Sequence, residues 1–369
     1  AYLARLANPD LTWETSEQTD LGVDARFLGG RLGATFDWYY KKTKDLLVQV
    51  QIPATAGIQD TQWQNAGTVR NTGVELALNW HDAIGKDFNY GINWNMACNS
   101  NKVTAINNAN HYNEGGKDLL SQNTGTMSRM EEGHPIGYFY GYKTAGVMQN
   151  AADIQQYLKE NCSGDATKSL QGTDIKPGDL KFVDVNGDGV IDANDKTEIG
   201  SPHPDVTMGF GFNVGYKGFD LSVTTYAALG QEVMRSWRKF TDGQHENYTT
   251  EVYKYWHGEG TSNKYPRLAP GNTGSNWQQV SDIYVEDASY FRLQNLTLGY
   301  DFKNVWKNCP FQQLRLYFSA QNLFTITGYD GMDPENGMAL NGSEPWVTGV
   351  DVGNYPSPRT FLVGVNVKF

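Results

Sequence analysis

The sequence is poor in features that mark several large protein classes. Its three cysteines, Cys98, Cys162 and Cys309, are odd in number and widely spaced, so they support neither a disulfide framework nor a zinc site. A disulfide bond between Cys98 and Cys162 remains an alternative. No run of about 18 apolar residues occurs, which excludes a transmembrane helix. The 30 basic residues are outnumbered by 41 acidic ones, which argues against a nucleic-acid partner because phosphates require a basic surface.

Processing and catalytic motifs are also missing. The chain has neither a start methionine nor a charged-then-apolar signal segment, so we expect a mature or internal fragment. The six histidines lack HExxH and other paired-ligand spacings, and no GxSxG elbow or GxxxxGKS/T phosphate loop occurs. No carboxylate pair stands out as a glycosidase couple. The sequence therefore argues against an enzyme.

What the sequence does contain is a repeated alternation of apolar and polar residues. It is sharpest at 361–369, where Phe361, Val363, Val365, Val367 and Phe369 alternate with Leu362, Gly364, Asn366 and Lys368. Period two places the two sets on opposite faces of a strand. A soluble edge strand can alternate in this way, but a terminal Phe is unusual there. Gly364, Val367 and Phe369 match the assembly signal of bacterial outer-membrane barrels, although Leu362 replaces its usual polar residue.

Eight further segments upstream show the same alternation. They are 21–27, 32–40, 74–80, 88–96, 208–216, 219–223, 296–302 and 314–320. Each is close to the length of about ten residues that a tilted strand needs to span a bilayer. The inward set of the first strands is polar and includes Asp20, Asp24, Arg26, Arg31 and Asp37, which we expect on a water-filled lumen.

The connections between these nine segments alternate strictly in length. Those at 28–30, 82–87, around 218 and at 303–312 are short, whereas those at 44–70, 102–205, 230–287 and 325–357 are long. A β-sandwich could show the stripes, but its loops have no reason to sort by length. We therefore predict an all-β, antiparallel transmembrane barrel in the outer membrane, with short periplasmic turns and long extracellular loops. Since bacterial barrels close with an even strand number, the remaining strands are expected outside this sequence.

The segment 184–195 (DVNGDGVIDAND), inside the expected extracellular insertion 102–205, fits an EF-hand-type calcium loop. Its ligands would be Asp184, Asn186, Asp188, the Val190 carbonyl, Asp192 and Asp195. Gly189 lies at the sharp turn, and Ile191 can anchor the loop in apolar packing. Hard oxygen ligands favour calcium over softer metals, so we predict a structural calcium ion. The alternative is a surface turn rich in Asn, Gly and Asp, and the last ligand is Asp where Glu is usual.

Several stretches resemble one known family. They are 65–80 (NAGTVRNTGVELALNW), 133–150 (GHPIGYFYGYKTAGVMQN), 178–210, 285–302 (VEDASYFRLQNLTLGYDF) and 314–335 (LRLYFSAQNLFTITGYDGMDPE). Together they are similar to the C-terminal half of SusC/RagA-type TonB-dependent transporters of Bacteroidetes. The resemblance implies a barrel of about 22 strands, of which 1–369 supplies the last nine. It also implies an N-terminal plug domain and further barrel strands that are not in this chain.

The resemblance further implies partners and a cargo. A SusD-like surface lipoprotein would cap the mouth of the barrel, a TonB complex would pull on the plug, and membrane lipids would surround the barrel. The cargo would be an oligosaccharide or an oligopeptide. A solitary TonB-dependent receptor for a metal chelate or a vitamin is the main alternative. An outer-membrane enzyme or adhesin is a further one.

Tryptophans are the candidate contact residues in the predicted extracellular segments. They are Trp63, Trp237, Trp256, Trp277 and Trp346, together with Trp13. Aromatic faces can stack on sugar rings, but aromatics also dominate loop packing and protein interfaces. We favour packing or contact with the lid protein for each of them. Trp38, Tyr40, Trp80 and Trp94 lie near strand ends on the outward stripes, where a membrane-interface belt explains them.

Overall fold

The main element of the fold is one antiparallel sheet of nine strands, as predicted. The computed structural model describes residues 8–50, 62–108, 110–117, 119, 125–236, 250–268, 276–306, 308–336 and 344–369. The nine strands are β1 (Thr15–Phe27), β2 (Leu32–Val50), β3 (Gln62–Ile84), β4 (Phe88–Ile106), β11 (Val206–Tyr216), β12 (Phe219–Leu229), β15 (Tyr290–Asp301), β16 (Gln313–Thr327) and β18 (Thr360–Lys368). Each of them pairs with the next one along the chain.

The apolar stripes join into one continuous outer face. Val23 lies opposite Phe36, and Phe36 lies opposite Leu76. At the other end of the sheet, Phe318 lies opposite Val363. Directly opposed residues share a face, so the register aligns the predicted outward residues of every strand. Many of them are exposed, among them Leu21, Val23, Phe36, Phe210, Phe219, Leu298, Phe318 and Val363. An apolar face of this extent needs a lipid environment.

A β-bulge in β15 keeps this outer face continuous. Two neighbouring residues of β12 pair with Asn295 and Leu293, which are not neighbours in β15. Gln294, which lies between them, therefore has no partner on β12 and is an extra residue of β15. Beyond the bulge, Phe291 lies opposite Ile326, and both are exposed on the apolar side. If Gln294 instead took a regular place in the ladder, Phe291 would turn inward, because side chains alternate with a period of two.

The inner face is polar and is built from large polar side chains opposite glycines. Asn95 lies opposite Gly209, and Asn93 lies opposite Gly211. A Cβ atom added at Gly209 would collide with the Asn95 amide. Asp20, Asp24, Arg26 and Asp37 share this face, as expected. Arg31 does not, because it forms an ion pair of 3.1 Å with Asp82, which belongs to the outward set of β3 opposite Tyr90.

The loop boundaries differ from the predicted ones at the long-loop end. The expected loop 44–70 is mostly strand, since β2 continues to Val50 and β3 starts at Gln62. Likewise β4 runs to Ile106, so the insertion begins at 107 rather than 102. These extensions lack the apolar alternation that revealed the lower strands (KKTKD at 41–45, for example), which is expected where a strand no longer faces lipid.

The long connections carry their own small elements. The insertion after β4 holds β5 (Tyr112–Gly115), β6 (Ser128–Glu131), β7 (Tyr138–Gly141), β8 (Thr144–Val147), α1 (Ala151–Asn161), β9 (Leu180–Phe182) and β10 (Thr197–Gly200). The other long connections supply β13 (Glu232–Arg235), β14 (Val285–Asp287) and β17 (Val350–Asp351), which form one small sheet. Short 3-10 helices cover Leu28–Gly30, Ala166–Lys168, Gly172–Asp174, Ala193–Asp195, Thr250–Lys254, Asp282–Tyr284 and Phe302–Asn304. Among the described residues, no helix is both long and apolar enough to cross a membrane.

Three long connections pack together into a single body, which we call the cap (107–205, 230–289 and 328–359, in their described parts). Its core includes Phe139, Phe182, Tyr255, Trp277 and Val347. A second apolar cluster contains Val69 and Val103 of the large sheet with Met130 of the insertion. Val69 lies on the opposite face from the outward Val74, so the cap is attached to the inner face of the sheet at its long-loop end.

Candidate functional site

The predicted assembly-signal residues lie in the last strand or directly after it. Gly364 is opposite Tyr317, whose ring occupies the space that a Cβ atom at Gly364 would need. Val367 is opposite Leu314 on the outer face. Phe369 is 84% exposed, and its ring meets Phe311 edge-on at 5.3 Å. Their role in assembly stays a prediction.

The predicted calcium loop is closed by its own carboxylates. Asp184 accepts hydrogen bonds from the backbone N–H groups of Gly187 (2.7 Å) and Gly189 (2.8 Å). Asp195 is fully buried and accepts from the backbone of Val185 at 2.9 Å. Ile191 is buried in the cap core, as the motif predicts.

The expected ligand side chains do not converge on one point. Asn186 accepts from the Asp188 N–H at 2.8 Å, and Asp188 accepts from the Val190 N–H at 2.9 Å. In the part of the chain that the structure describes, no three His, Cys, Asp or Glu side chains are grouped to hold a metal ion. The motif therefore forms a compact loop, and calcium binding stays a prediction.

Most of the described candidate tryptophans serve packing. Trp277 is 3% exposed and lies 5.4 Å from the Tyr255 ring and 5.8 Å from the Tyr284 ring. The Trp256 indole packs on the cap core and donates its N–H to Gln149 Oε1 at 3.2 Å. Trp346 packs against the cap core and against the second apolar cluster, where the cap meets the large sheet.

The remaining candidates lie elsewhere. Trp63 is a half-buried residue of β3 opposite Gln49. Trp13 precedes β1 and is 90% exposed. Trp237 lies outside the described residues. The three cysteines are free thiols, so Cys98 and Cys162 are not bridged. Burial raises the pKa of the Cys162 thiol to about 11, and the nearby charge of Asp184 acts in the same direction.

A polar cavity of about 610 Å³ in the cap was not predicted from the sequence. One of its walls is a face of the four-stranded sheet β10-β7-β6-β5. Glu114 of β5 is opposite Arg129 of β6, and Tyr112 and Tyr140 flank them on the same face. Lys117, Thr126, Asn194 and Lys196 complete the polar lining. The opposite face of the sheet carries Phe139 and Met130, which are buried in the cap.

Arg129 organises this wall. Its guanidinium carbon lies 4.0 Å from the centre of the Tyr112 ring and 3.4 Å from that of Tyr140. It pairs with Glu114 at 2.7 Å and with Glu131 at 3.3 Å. A planar guanidinium suits such stacking and paired contacts better than an ammonium would. Arg129 is therefore committed to holding the wall together.

Lys196 is a further cation of the cavity, beside Arg129 and Lys117. Its ammonium lies 5.4 Å from the centre of the Tyr142 ring. Burial lowers the pKa of Lys196, the charge of Arg129 adds to this effect, and Glu114 opposes it. Burial also raises the pKa of Tyr142 to about 12, together with the negative charges of Asp192 and Asp195. Both side chains are thus partly removed from water.

Residues 2–323 match the family model described as "TonB dependent receptor-like, beta-barrel". The chain belongs to the TonB-dependent receptor family. This confirms the predicted outer-membrane barrel, and it places the chain among receptors rather than enzymes.

Curated relatives within this family match the entire chain. It is 34% identical over 372 residues to TonB-dependent receptor P3 of Formosa agariphila, covering 100% of this chain and 35% of that protein. It is 30% identical over 367 residues to TonB-dependent receptor SusC of Bacteroides thetaiotaomicron, covering 98% of this chain and 32% of SusC. The predicted resemblance to SusC/RagA-type receptors is confirmed. The chain spans about a third of the length of these relatives.

Solved structures agree on the fold of this receptor chain. The RagAB peptide transporter matches it with a TM-score of 0.75 at 24% identity, covering 100% of this chain and 37% of that one. The RagAB peptide importer in its "closed-closed" state matches with a TM-score of 0.74, also at 24% identity. These comparisons show that the cap and the nine strands together follow a known receptor architecture.

Ion pairs fasten the cap of this receptor to its strands and also brace the cap internally. Arg292 of β15 contacts Asp333 at 2.5 Å and Glu335 at 2.6 Å. Burial alone would raise the pKa of Asp333, but hydrogen bonds from the backbone of Ser357 and Glu335 and from Arg292 lower it. Deep in the cap, Arg235 is 1% exposed and contacts Glu251 and Glu286. Sequence patterns could not reveal these pairs, because their members come from separate elements of the fold.

Proposed function

We propose that this chain forms the C-terminal wall and part of the mouth of a TonB-energised importer for oligosaccharides or oligopeptides. The observation that carries the proposal is the combination of an exposed apolar outer face with a polar inner face roofed by the cap. This is the organisation of a barrel through which a polar solute passes under control. A TonB-dependent receptor named SusC and a peptide transporter, RagAB, are among the proteins that this chain resembles.

The chemistry of the inner wall supports a polar cargo. Asn71 accepts hydrogen bonds from Asn99 (3.1 Å) and Asn101 (2.9 Å), and the Tyr39 hydroxyl donates to Asn99 at 2.9 Å. Amide and hydroxyl groups hydrogen-bond to sugars and peptides without adding a net charge. A wall of this kind suits polar oligomers of variable sequence.

Exposed aromatics at the long-loop end support a lid partner. Trp13, Tyr253 and Tyr355 are 90%, 81% and 91% exposed, respectively. Tyr and Trp are enriched at the centres of protein interfaces, where they bury large areas. We propose that they contact a SusD-like lipoprotein, which would bury them.

Calcium binding by the loop 184–195 is a separate proposal. It is supported by the match of six ligand positions, by the left-handed backbone at Gly189 (φ of 78°) and by the burial of Ile191. Each carboxylate oxygen that accepts an amide keeps a further lone pair for an ion. A calcium ion would draw Asp184, Asp188 and Asp195 together and brace the cap.

The import proposal is tested by recovering the complete receptor from detergent-solubilised outer membranes and identifying all retained proteins by mass spectrometry. We expect a longer polypeptide that contains this sequence, together with a SusD-like lipoprotein. Uptake of labelled oligosaccharide and oligopeptide pools is then compared in cells with and without TonB. A receptor recovered alone, with TonB-dependent uptake of a metal chelate or vitamin only, overturns the proposal. Uptake that persists without TonB does so as well.

A further inference from the structure

We propose that the cap cavity beside Lys196 is a binding subsite for a carboxylate group of the ligand, with the Lys196 ammonium as its main contact. The inference goes beyond the import function and rests on it only for the idea that the bound ligand is cargo. Its basis is the cavity, the absence of an ion pair to Lys196 among the described residues, and the position of Lys196 within the cavity.

Lys196 makes no ion pair within the part of the chain that the structure describes. The carboxylates beside the other buried cation, Glu114 and Glu131, are both held by Arg129. No carboxylate of the described residues lies within 4.0 Å of the Lys196 ammonium. A carboxylate of the ligand can therefore pair with this ammonium.

The position of Lys196 also strengthens its attraction for an anion. Its side chain is partly buried, and its ammonium lies 5.4 Å from the centre of the Tyr142 ring. A cation that has already lost water hydrogen bonds forms a stronger bond with an anion, because screening is weaker there. Lys117 is more exposed and lines the same cavity, where it can assist.

The size and rigidity of the cavity fit a small part of an oligomer. Its volume of about 610 Å³ falls within the range of ligand sites, roughly 300–1,000 Å³. Its wall is held in place by the Arg129 stack and by the Thr126 hydroxyl, which donates to Glu114 at 3.0 Å. The exposed Asn194 amide on the rim supplies a further donor and acceptor. Two cargo types carry the same carboxylate: a peptide with its C-terminus and an acidic oligosaccharide with its uronic acids.

The test measures binding to the complete receptor complex by calorimetry, with two matched pairs of probes. One pair is trialanine and trialanine amide, and the other is trigalacturonate and its methyl ester. We expect the acid of one pair to bind at least about tenfold more tightly than its neutral partner, and added salt to weaken it. The pair that shows this difference identifies the source of the carboxylate.

The variants assign the effect to Lys196. We expect Lys196→Met to lower the affinity for that acid by about 10- to 100-fold, because a hydrogen bond to a charged group is lost. Lys196→Arg should retain most of the binding. The control is Lys159→Met, on the exposed side of α1 in the same insertion, which should bind like the parent. Correct folding of each variant is checked by its heat-modifiable mobility on gels.

Equal binding of acid and neutral probes, or binding unaffected by Lys196→Met, overturns the subsite. Failure of both acids to bind overturns it too. The import proposal is judged separately, by uptake. Acid binding without uptake supports the subsite and overturns the import function. Uptake that is insensitive to Lys196→Met supports the import function and overturns the subsite.

Discussion

At the scale of single residues, glycine marks places where two parts of the cap come into close contact. Gly141 of β7 lies against Val280. The neighbouring Tyr142 N–H donates a hydrogen bond to the Val280 carbonyl at 2.9 Å. A Cβ atom at Gly141 would lie 2.5 Å from that carbonyl oxygen. Because the obstacle is backbone, it cannot rotate away as a side-chain tip could.

We therefore expect Gly141→Ala to loosen the junction between the first and second cap connections. Overpacking of this kind costs roughly 1–3 kcal/mol. Limited proteolysis of the detergent-solubilised receptor should show faster cleavage in the cap while the barrel stays intact. Gly258→Ala is the matched control, since no atom lies within 4 Å of a Cβ atom there. Equal cleavage rates for the two variants would contradict this account.

At the scale of elements, register decides which side chains face lipid. The sequence patterns located all nine strands of the large sheet, since each has a lipid-facing stripe with a period of two. They missed the upper parts of β2, β3 and β4, and they missed the bulge at Gln294. Bulges depend on which residues the neighbouring strands present, and a single strand does not contain that information.

Deletion of Gln294 is expected to be tolerated, because this residue is extra opposite β12, and the paired residues of β16 on either side of 322–323 keep their facing without it. Without it, Asn295 and Leu293 become neighbours opposite neighbouring residues of β12, so Phe291 still faces outward and Arg292 inward. The measurement is the fraction of receptor in the outer membrane with the heat-modifiable mobility of a folded barrel. We expect this fraction to stay close to that of the parent.

Deletion of Gly299, in the regular part of the same strand, is the matched control. It shifts the alternation by one residue and turns Leu298 and Leu296 inward while Thr297 and Asn295 face lipid. We expect it to reduce the folded fraction strongly. Equal losses for the two deletions would show that the bulge itself, rather than the facing of the side chains, is needed for folding.

Calcium binding by the loop 184–195 is tested by measurement in solution. We expect calorimetry on chelator-treated receptor to detect one calcium site with a Kd of about 10⁻⁴–10⁻³ M, as in extracellular modules. Combined Asp184→Asn and Asp188→Asn substitutions should abolish it. Asp174→Asn, an exposed acid in the same insertion, is the control. If the parent receptor gives no heat of calcium binding, the loop is a turn closed by its own hydrogen bonds.

At the scale of the whole molecule, the long connections act as one body. Residues from the insertion, from the connection after β12 and from the connection after β16 share a single core that includes Phe139, Tyr255 and Val347. Arg292 fixes this body to the sheet through Asp333 and Glu335. The mouth of the receptor is consequently a folded cap whose surface can present a fixed contact site.

We expect the exposed tyrosines of the cap to hold the lid protein. Tyr253→Ser and Tyr355→Ser together should reduce the lipoprotein recovered with the receptor several-fold, since interface hot spots contribute about 2 kcal/mol or more each. Tyr216→Ser is the control, because Tyr216 is exposed at the short-turn end of the barrel. Undiminished recovery with the double variant would place the lid elsewhere on the mouth.

The sequence alone determined the membrane barrel, its nine strands and its family. Those conclusions rest on local patterns, because lipid on one side of every strand imposes a period of two that is visible in residues such as Phe361 to Phe369. The tertiary structure decided the cap, the contacts of Arg292 with Asp333 and Glu335, and the cavity beside Lys196. These features join segments far apart in the chain. No periodic solvent boundary marks them in the sequence, so only the packing of the folded chain brings them together.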